Sequence, residues 1–210
     1  KMKFKFKKYY RKTSLKNLND ANFVLQHISE IKPKNFLEIG IFHGVTSRNV
    51  CELLHLIHGK DFNFTGIDLF TSDKKMFKDE ILPNTKFSNP LKHIYYKYIT
   101  RSDPYSYESV IKLLKKFKNN INIIKGNSNE VLKKIQTDHI DYVFLDGGHK
   151  YETVMNDLDN LVNVVQNGGI ILCDDYNLTY APGVKKAIDE FTNTNNFKLK
   201  IFNTRFAEIS

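Results

Sequence analysis

The chain has 210 residues, of which 41% are hydrophobic and 26% are charged. This length and apolar content suffice for one well-buried core, which excludes an intrinsically disordered protein and a small disulfide-stapled fold. Seven of the 32 basic residues lie in the first twelve positions; the other 25 face 23 acids, so that the net charge of +9 falls to +2 for the rest of the chain. A nearly neutral body disfavours a nucleic-acid binder that depends on phosphate neutralisation.

The basic residues define an N-terminal arm, taken as residues 1–20, ahead of a single domain at residues 21–210. Lysines alternate with aromatic residues in this arm, such as Phe4 and Phe6. A solvated, partly disordered arm is expected. An edge strand, or contact with an anionic membrane or RNA, is the alternative.

From residue 35 onward, short apolar runs alternate with longer amphipathic ones. The short runs predict strands at residues 35–40, 63–68, 121–126, 139–148 and 169–175. Apolar residues at helical spacing predict helices at residues 46–57, 107–118, 129–135, 152–165 and 184–191. Two further runs that flank Asn203-Thr204 predict a terminal hairpin. Uniformly apolar strands separated by helices indicate a Rossmann-like, doubly wound α/β domain with a mostly parallel sheet.

One segment, residues 69–106, is too long for a simple connection and is rich in Phe and Tyr. Long inserts in compact domains are usually functional or disordered. A lid over a substrate is therefore predicted for it, with an oligomer contact as the alternative.

The sequence also bears on location. It has no apolar run long enough to span a membrane, and its start lacks the apolar stretch of a secretory signal. Cys51 and Cys173 both lie in apolar runs, where a buried thiol behaves as a small hydrophobe. A reducing, cytoplasmic location is expected.

Ligands of a doubly wound sheet bind outside the carboxyl ends of its strands. The first such end is a glycine turn, in which Gly40 and Gly44 allow backbone N–H groups to approach a ligand. A dinucleotide fingerprint would need glycine where Phe42 stands, so NAD is disfavoured. Glu38 inside the motif suits a cationic ligand better than a phosphate. A simple strand-to-helix turn is the alternative.

The second strand ends at Asp68, 28 residues after Gly40. An acid at about this place accepts hydrogen bonds from ribose hydroxyls in nucleotide-binding α/β domains. An aspartate that only caps a turn is the alternative.

The fourth and fifth strands end in Asp146 and in the pair Asp174-Asp175. Three carboxylates at one edge would repel one another, and Mg²⁺ prefers such oxygen ligands, so a metal site is predicted. His149 follows Asp146 beyond two glycines and is a candidate general base. Capping roles for the aspartates and a structural role for His149 are the alternatives. His43, in the glycine turn, has the weaker claim.

Five motifs, in their order and spacing, carry a family resemblance. They are FLEIGIFHG, FTGIDLF, IIKGNSNEVL, DYVFLDGGHKYE and NGGIILCDDY. Together they resemble the class I S-adenosylmethionine-dependent methyltransferases over residues 35–195. More narrowly they are similar to the small metal-dependent O-methyltransferases, which include catechol O-methyltransferase and the macrocin-type sugar enzymes. The resemblance implies a seven-stranded sheet with an antiparallel last strand.

The resemblance also implies a role for each matching position. Cofactor-binding residues would be Glu38, Gly40, His43, Gly44, Thr46, Asp68, Asn127, Ser128 and Asp146, with Asn127 and Ser128 at the adenine. Asp146, Asp174 and Asp175 would ligate Mg²⁺, while His149 and Asp146 would be catalytic. Asn127 stands where the family often has aspartate, and Asp175 where catechol-type enzymes have asparagine, which favours the sugar-type branch.

The expected function is therefore Mg²⁺-dependent O-methylation of a hydroxyl on a small molecule, a sugar or a catechol-like compound. Two alternatives remain open: an RNA methyltransferase, and a cofactor-binding relative with different chemistry.

Overall fold

The computed structural model describes residues 4–71, 87, 89–135 and 139–210. Its centre is a seven-stranded sheet with the spatial order β3-β2-β1-β4-β5-β7-β6. Strands β1 to β5 are parallel to one another, whereas β7 runs antiparallel to both β5 and β6. This confirms the predicted mostly parallel sheet with an antiparallel C-terminal strand. The strands are β1 (Asn35–Ile39), β2 (Asn63–Asp68), β3 (Ile121–Lys125), β4 (Tyr142–Leu145), β5 (Ile170–Cys173), β6 (Leu199–Phe202) and β7 (Phe206–Ile209).

The central strands are apolar throughout because both faces of the sheet are covered. Phe36 of β1 stacks between Phe64 and Tyr142 in the core on one face, with ring centroids 5.7 and 5.1 Å away. The next residue, Leu37, points into the core on the other face. Side chains that alternate along a strand thus supply two separate hydrophobic cores.

Helices cover these two faces in two groups. The Phe36 face carries the first, second and fourth α-helices, and the Leu37 face carries the last two. The α-helices are α1 (Leu18–Ile31), α2 (Val45–His58), α3 (Pro90–Ile94), α4 (Tyr107–Leu114), α5 (Ser128–Val131), α6 (Tyr151–Gln166) and α7 (Pro182–Asn195). A π-helical turn at Tyr95–Ile99 follows α3, and a 3₁₀ turn at Lys115–Phe117 follows α4. No helix in the described part of the chain combines the length and hydropathy needed to cross a membrane.

Three of these helices differ from the prediction, and one of them, α3, lies within the segment predicted as a lid. Helix α1 is not among the predicted elements, although its buried residues Ala21, Val24 and Ile28 have helical spacing. Helix α5 begins at Ser128, one residue before the predicted start, and is capped by Asn127, whose Oδ1 accepts a hydrogen bond from Asn129 N.

The N-terminal segment packs against the domain, and the expectation of a solvated arm is wrong for its described part. Phe6, Arg11 and Leu15 are buried, Leu15 completely. Asn49 of α2 accepts a hydrogen bond from the backbone N–H of Lys7 and donates one to its carbonyl. The alternative of an edge strand is not realised either, because residues 4–17 have no strand pairing. Apolar residues interleaved with the lysines attach the segment to the domain, since their burial keeps them from water.

The lid prediction for residues 69–106 falls partly outside the described residues, which omit 72–86 and 88. The described part of the segment contains α3 and the π-helical turn. Tyr105, at its end, is buried beside the carboxyl end of β2, where its hydroxyl donates to Asp68 Oδ1 over 3.2 Å. A lid over the substrate stays a prediction.

Candidate active site at the carboxyl edge of the sheet

The first part of the site is the turn between β1 and α2. Gly40 has φ +93°, and a Cβ atom built on it would lie 1.9 Å from the carbonyl oxygen of Asp146. No other residue could occupy this position without moving β1 away from β4. Gly44, the residue before α2, has φ +72° in the left-handed conformation, and Phe42 between the two glycines has φ +53°. These values explain why the sequence carries both glycines.

Glu38 lies directly before this turn and is completely buried. Its Oε2 accepts a 2.5 Å hydrogen bond from Ser47, while Oε1 has no hydrogen-bond partner among the described residues. Burial raises the pKa of Glu38 to about 8, and the nearby charge of Asp68 acts in the same direction. The site thus contains a buried carboxyl group with one unused acceptor, which suits a cationic or hydrogen-bond-donating ligand.

Asp68 is fixed at the end of β2 by the neighbouring backbone. Its Oδ2 accepts from Phe42 N at 2.8 Å, and its Oδ1 accepts from Phe70 N at 2.7 Å. Burial raises the pKa of Asp68, while these hydrogen bonds oppose the rise. The carboxylate therefore joins the glycine turn to the end of β2. Ribose binding by Asp68 stays a prediction.

His43 and Thr46 are buried in the same turn. Nδ1 of His43 accepts a 3.3 Å hydrogen bond from Lys12 N. Burial, together with the positive charge of Arg11, lowers the pKa of His43 to about 3. A histidine that stays neutral and is packed against Phe42 is a poor proton acceptor, and its predicted contact with the cofactor stays a prediction.

The predicted adenine-binding pair, Asn127 and Ser128, follows β3. The N–H of Gly126 donates to the carbonyl of Asp68 over 3.0 Å, which places the pair next to the end of β2. Asn127 is exposed. The structure thus brings both residues to the same edge as the glycine turn, and their contact with adenine stays a prediction.

The second part of the site is a rim formed by the ends of β4 and β5, with Asp146, His149, Asp174 and Asp175. Its residues line a narrow cleft together with Gly147 and Gly148. The N–H of Asp146 donates to the carbonyl of Ile39, so that the rim adjoins the glycine turn. The structure therefore gathers the predicted cofactor residues and the predicted catalytic residues at one edge of the sheet.

The three rim carboxylates lie in different environments. Burial raises the pKa of Asp146 well above its usual value, and the charges of Asp174 and Asp175 add to the effect. Burial also raises the pKa of Asp174, to about 6. Burial alone would raise the pKa of Asp175, but the hydrogen bond and charge of His149 lower it below the ordinary value. His149 Nε2 and Asp175 Oδ2 are 2.9 Å apart.

Two residues of this rim were missed by the sequence reasoning. Ser14, in the N-terminal segment, donates a 2.6 Å hydrogen bond to Asp146 Oδ2. Arg205, in the turn between β6 and β7, donates to both oxygens of Asp174, over 2.5 Å from Nε and 2.7 Å from Nη2. Both lie far from their partners in sequence, and no local motif marks them.

These contacts decide how well the rim fits a magnesium ion. Mg²⁺ needs free carboxylate oxygens in near-octahedral geometry. Both oxygens of Asp174 accept hydrogen bonds from Arg205. One oxygen of Asp175 is bonded to His149, and one oxygen of Asp146 accepts from Ser14. Among the residues that the structure describes, no three His, Cys, Asp or Glu side chains are arranged to hold a metal ion. The rim in this arrangement does not fit the predicted metal, and Mg²⁺ dependence stays a prediction.

Comparison with known proteins gives a family match. Residues 37–176, two thirds of the chain, match a family model described as a methyltransferase domain. Among curated proteins, none matches the sequence.

Solved structures share the fold. The SAH-bound methyltransferase PaMTH1 of Podospora anserina has a TM-score of 0.58 and 16% identity over 93% of this chain and 79% of that chain. For the O-methyltransferase NovP, the TM-score is 0.59 and the identity 17%, over 89% and 78% of the two chains. CalS11, a TDP-rhamnose 3′-O-methyltransferase of calicheamicin biosynthesis, has a TM-score of 0.60 and 16% identity over 91% and 78%. At these identities the likeness establishes the fold.

Proposed function

Because the chain belongs to this family of methyltransferase domains and is an S-adenosylmethionine-dependent methyltransferase, we propose that it methylates a hydroxyl oxygen of a small molecule. The observation that carries the proposal is the 2.9 Å hydrogen bond between His149 and Asp175, at the edge of the sheet that also holds the glycine turn. A histidine oriented by a carboxylate is the usual arrangement of a general base.

The residues of the first part of the site fit the cofactor. S-adenosylmethionine supplies a methyl group on a positively charged sulfonium. The unused Oε1 of buried Glu38 offers an acceptor to its cationic end. Asp68 lies at the end of β2, and Asn127 and Ser128 follow the end of the neighbouring strand β3. A nucleoside would extend along these strand ends. We assign Thr46, at the start of α2, to the same set.

The chemistry of the second part follows from the histidine tautomer. If Nε2–H of His149 donates to Asp175, the basic nitrogen is Nδ1. In the proposed reaction His149 accepts the hydroxyl proton at Nδ1 while the substrate oxygen attacks the methyl carbon. The lowered pKa of Asp175 keeps it ionised, so it stabilises the imidazolium that forms. Such a base contributes about 10²–10⁴-fold in rate.

The acceptor class is inferred from charge and from the neighbours. Beyond residue 12 the chain is nearly neutral, at a net charge of +2, which favours a small molecule over RNA as the acceptor. NovP is an O-methyltransferase and CalS11 acts on the sugar of TDP-rhamnose. A hydroxylated sugar or a catechol-like compound is therefore the proposed acceptor. No step of the reaction is assigned to magnesium, because both oxygens of Asp174 accept hydrogen bonds from Arg205.

The proposed location rests on the cysteines. Cys51 and Cys173 are free and buried, and two thiols without a disulfide are typical of a reducing compartment. This supports the cytoplasm as the place of the reaction.

The decisive experiment has two parts. Isothermal calorimetry should detect binding of S-adenosylhomocysteine, and absence of heat would refute the cofactor assignment. Transfer of a labelled methyl group should then be screened against a panel of catechols and nucleotide sugars. His149→Gln should retain binding but lose about 10²-fold or more in turnover. His139→Gln, at an exposed position before β4, is the matched control. Full activity of His149→Gln would remove the base from the mechanism.

A further inference from the structure

Arg205 is held at the rim by the geometry of the C-terminal hairpin. Asn203 and Thr204 both have positive φ, 50° and 60°, and with Arg205 they form the tight three-residue turn that joins β6 and β7. Strand β7 pairs antiparallel with β5, and the carbonyl of Arg205 accepts a hydrogen bond from Tyr176 N. The arginine backbone is therefore fixed directly beside the end of β5, where Asp174 and Asp175 lie.

The guanidinium of Arg205 faces several carboxylates at once. It makes a bidentate pair with Asp174, whose side chain is only 1% exposed. Its Nη2 lies 3.7 Å from Asp175 Oδ1, and its Nη1 lies 3.2 Å from Asp20 Oδ2 in α1. Asp146 is near enough for its charge to act on the same group. The partly buried guanidinium of Arg205 thus balances acidic groups that would otherwise repel one another.

The pair of Arg205 and Asp174 is connected to His149 through the backbone and side chain of Asp175. Asp174 Oδ1, held by Arg205 Nε, accepts a 2.8 Å hydrogen bond from Asp175 N. Asp175 has φ +60°, a conformation that is unfavourable for a non-glycine residue and needs support from its surroundings. In this conformation its side chain reaches His149 Nε2. The contacts form a chain from Arg205 through Asp174 and Asp175 to His149.

We propose that Arg205 is the resident cation of this rim. It takes the place that a divalent metal would need, and it acts as a positioning residue for the Asp175–His149 pair. The bidentate pair occupies both oxygens of Asp174. A metal ion would have to break this pair and would be repelled by the positive charge of the arginine. The positioning role toward His149 rests on the proposed function. The inference that Arg205 excludes a metal ion from the rim is independent of that function.

The test measures metal binding rather than turnover. Mn²⁺, a spectroscopic substitute for Mg²⁺, is titrated into the full chain and followed by electron paramagnetic resonance. The wild type should show no bound Mn²⁺ at millimolar concentration. Arg205→Gln should release Asp174 and bind Mn²⁺ at least about tenfold more tightly than the wild type, and the double variant Arg205→Gln/Asp174→Asn should lose this gain. Lys185→Gln, which removes a cation from Asp189 outside the rim, is the matched control.

Two results would overturn the proposal. One is Mn²⁺ binding by the wild type that Asp174→Asn abolishes. The other is an Arg205→Gln variant that has a native circular dichroism spectrum but gains no Mn²⁺ site. If the arginine variant fails to fold, comparison of the wild type with Asp174→Asn still decides between bound metal and resident arginine. Failure of S-adenosylhomocysteine to bind would refute the proposed function and leave the Mn²⁺ result standing.

Discussion

Glu38→Gln should make the stability of the protein less sensitive to pH. Burial raises the folded-state pKa of Glu38 to about 8 from an ordinary value of 4.5. Between these two pH values the folded protein keeps a proton that the unfolded chain has released. The stability contributed by this group is therefore complete below the unfolded pKa and is lost as the pH rises toward 8.

The size of the effect follows from linkage. Each pH unit inside the window removes ~1.4 kcal/mol, so the step from pH 5 to pH 7 removes ~2.5 kcal/mol. Glutamine has nearly the same shape as glutamate, can still accept the hydrogen bond from Ser47 and does not titrate. Between pH 5 and pH 7, the unfolding free energy of Glu38→Gln should thus rise by ~2.5 kcal/mol relative to that of the wild type.

Urea unfolding at several pH values between 5 and 8 measures this difference. With a slope of ~2 kcal/mol per molar urea, the two midpoints should move apart by about 1 M. Other shifted groups, such as Asp146 and His43, are present in both proteins and cancel in the comparison. Glu30→Gln, at an exposed position of α1, should show no such divergence. A constant difference between Glu38→Gln and the wild type across the whole range would refute the reasoning.

Two further substitutions test the packing around the site. Gly40→Ala should lower the melting temperature sharply, by the equivalent of ~4 kcal/mol or more, because the new methyl group would meet the Asp146 carbonyl. Gly168→Ala, also at positive φ but in open space, should cost only ~1 kcal/mol, and equal losses would contradict the steric argument. Arg11→Met should cost ~3 kcal/mol in urea unfolding, since it removes four hydrogen bonds to buried oxygens. Lys5→Met, at an exposed position, should be near neutral, and a matching loss there would indicate a general charge effect.

The element pattern was readable because it depends on neighbours in sequence. Alternating runs locate β1 to β5 and most helices within a few residues, and the glycine turn follows from the conformational freedom of Gly40 and Gly44. The position of the acids at one edge was also predictable, since parallel strands end on the same side of a sheet. Helix α1 escaped prediction, although its apolar spacing is visible in the sequence.

Contacts between distant segments were not readable in the same way. The lysine-rich start of the chain resembles a solvated tail, yet Leu15 and Arg11 are buried in the fold. The histidine of the glycine turn, His43, is buried and neutral because an N-terminal segment covers it. Burial depends on which segments meet in three dimensions, and composition does not record that.

By itself, the sequence determined a doubly wound sheet and the gathering of its acids at one edge, because both follow from local periodicity and from strand direction. Only the tertiary structure decided how those acids are neutralised. Strand β7 lies between β5 and β6 in the sheet, and this order brings Arg205 to Asp174, 31 positions away in the chain. A row of carboxylates in sequence is compatible with either a metal or an arginine. The physical difference is the location of one guanidinium, which the pairing of the last strands fixes.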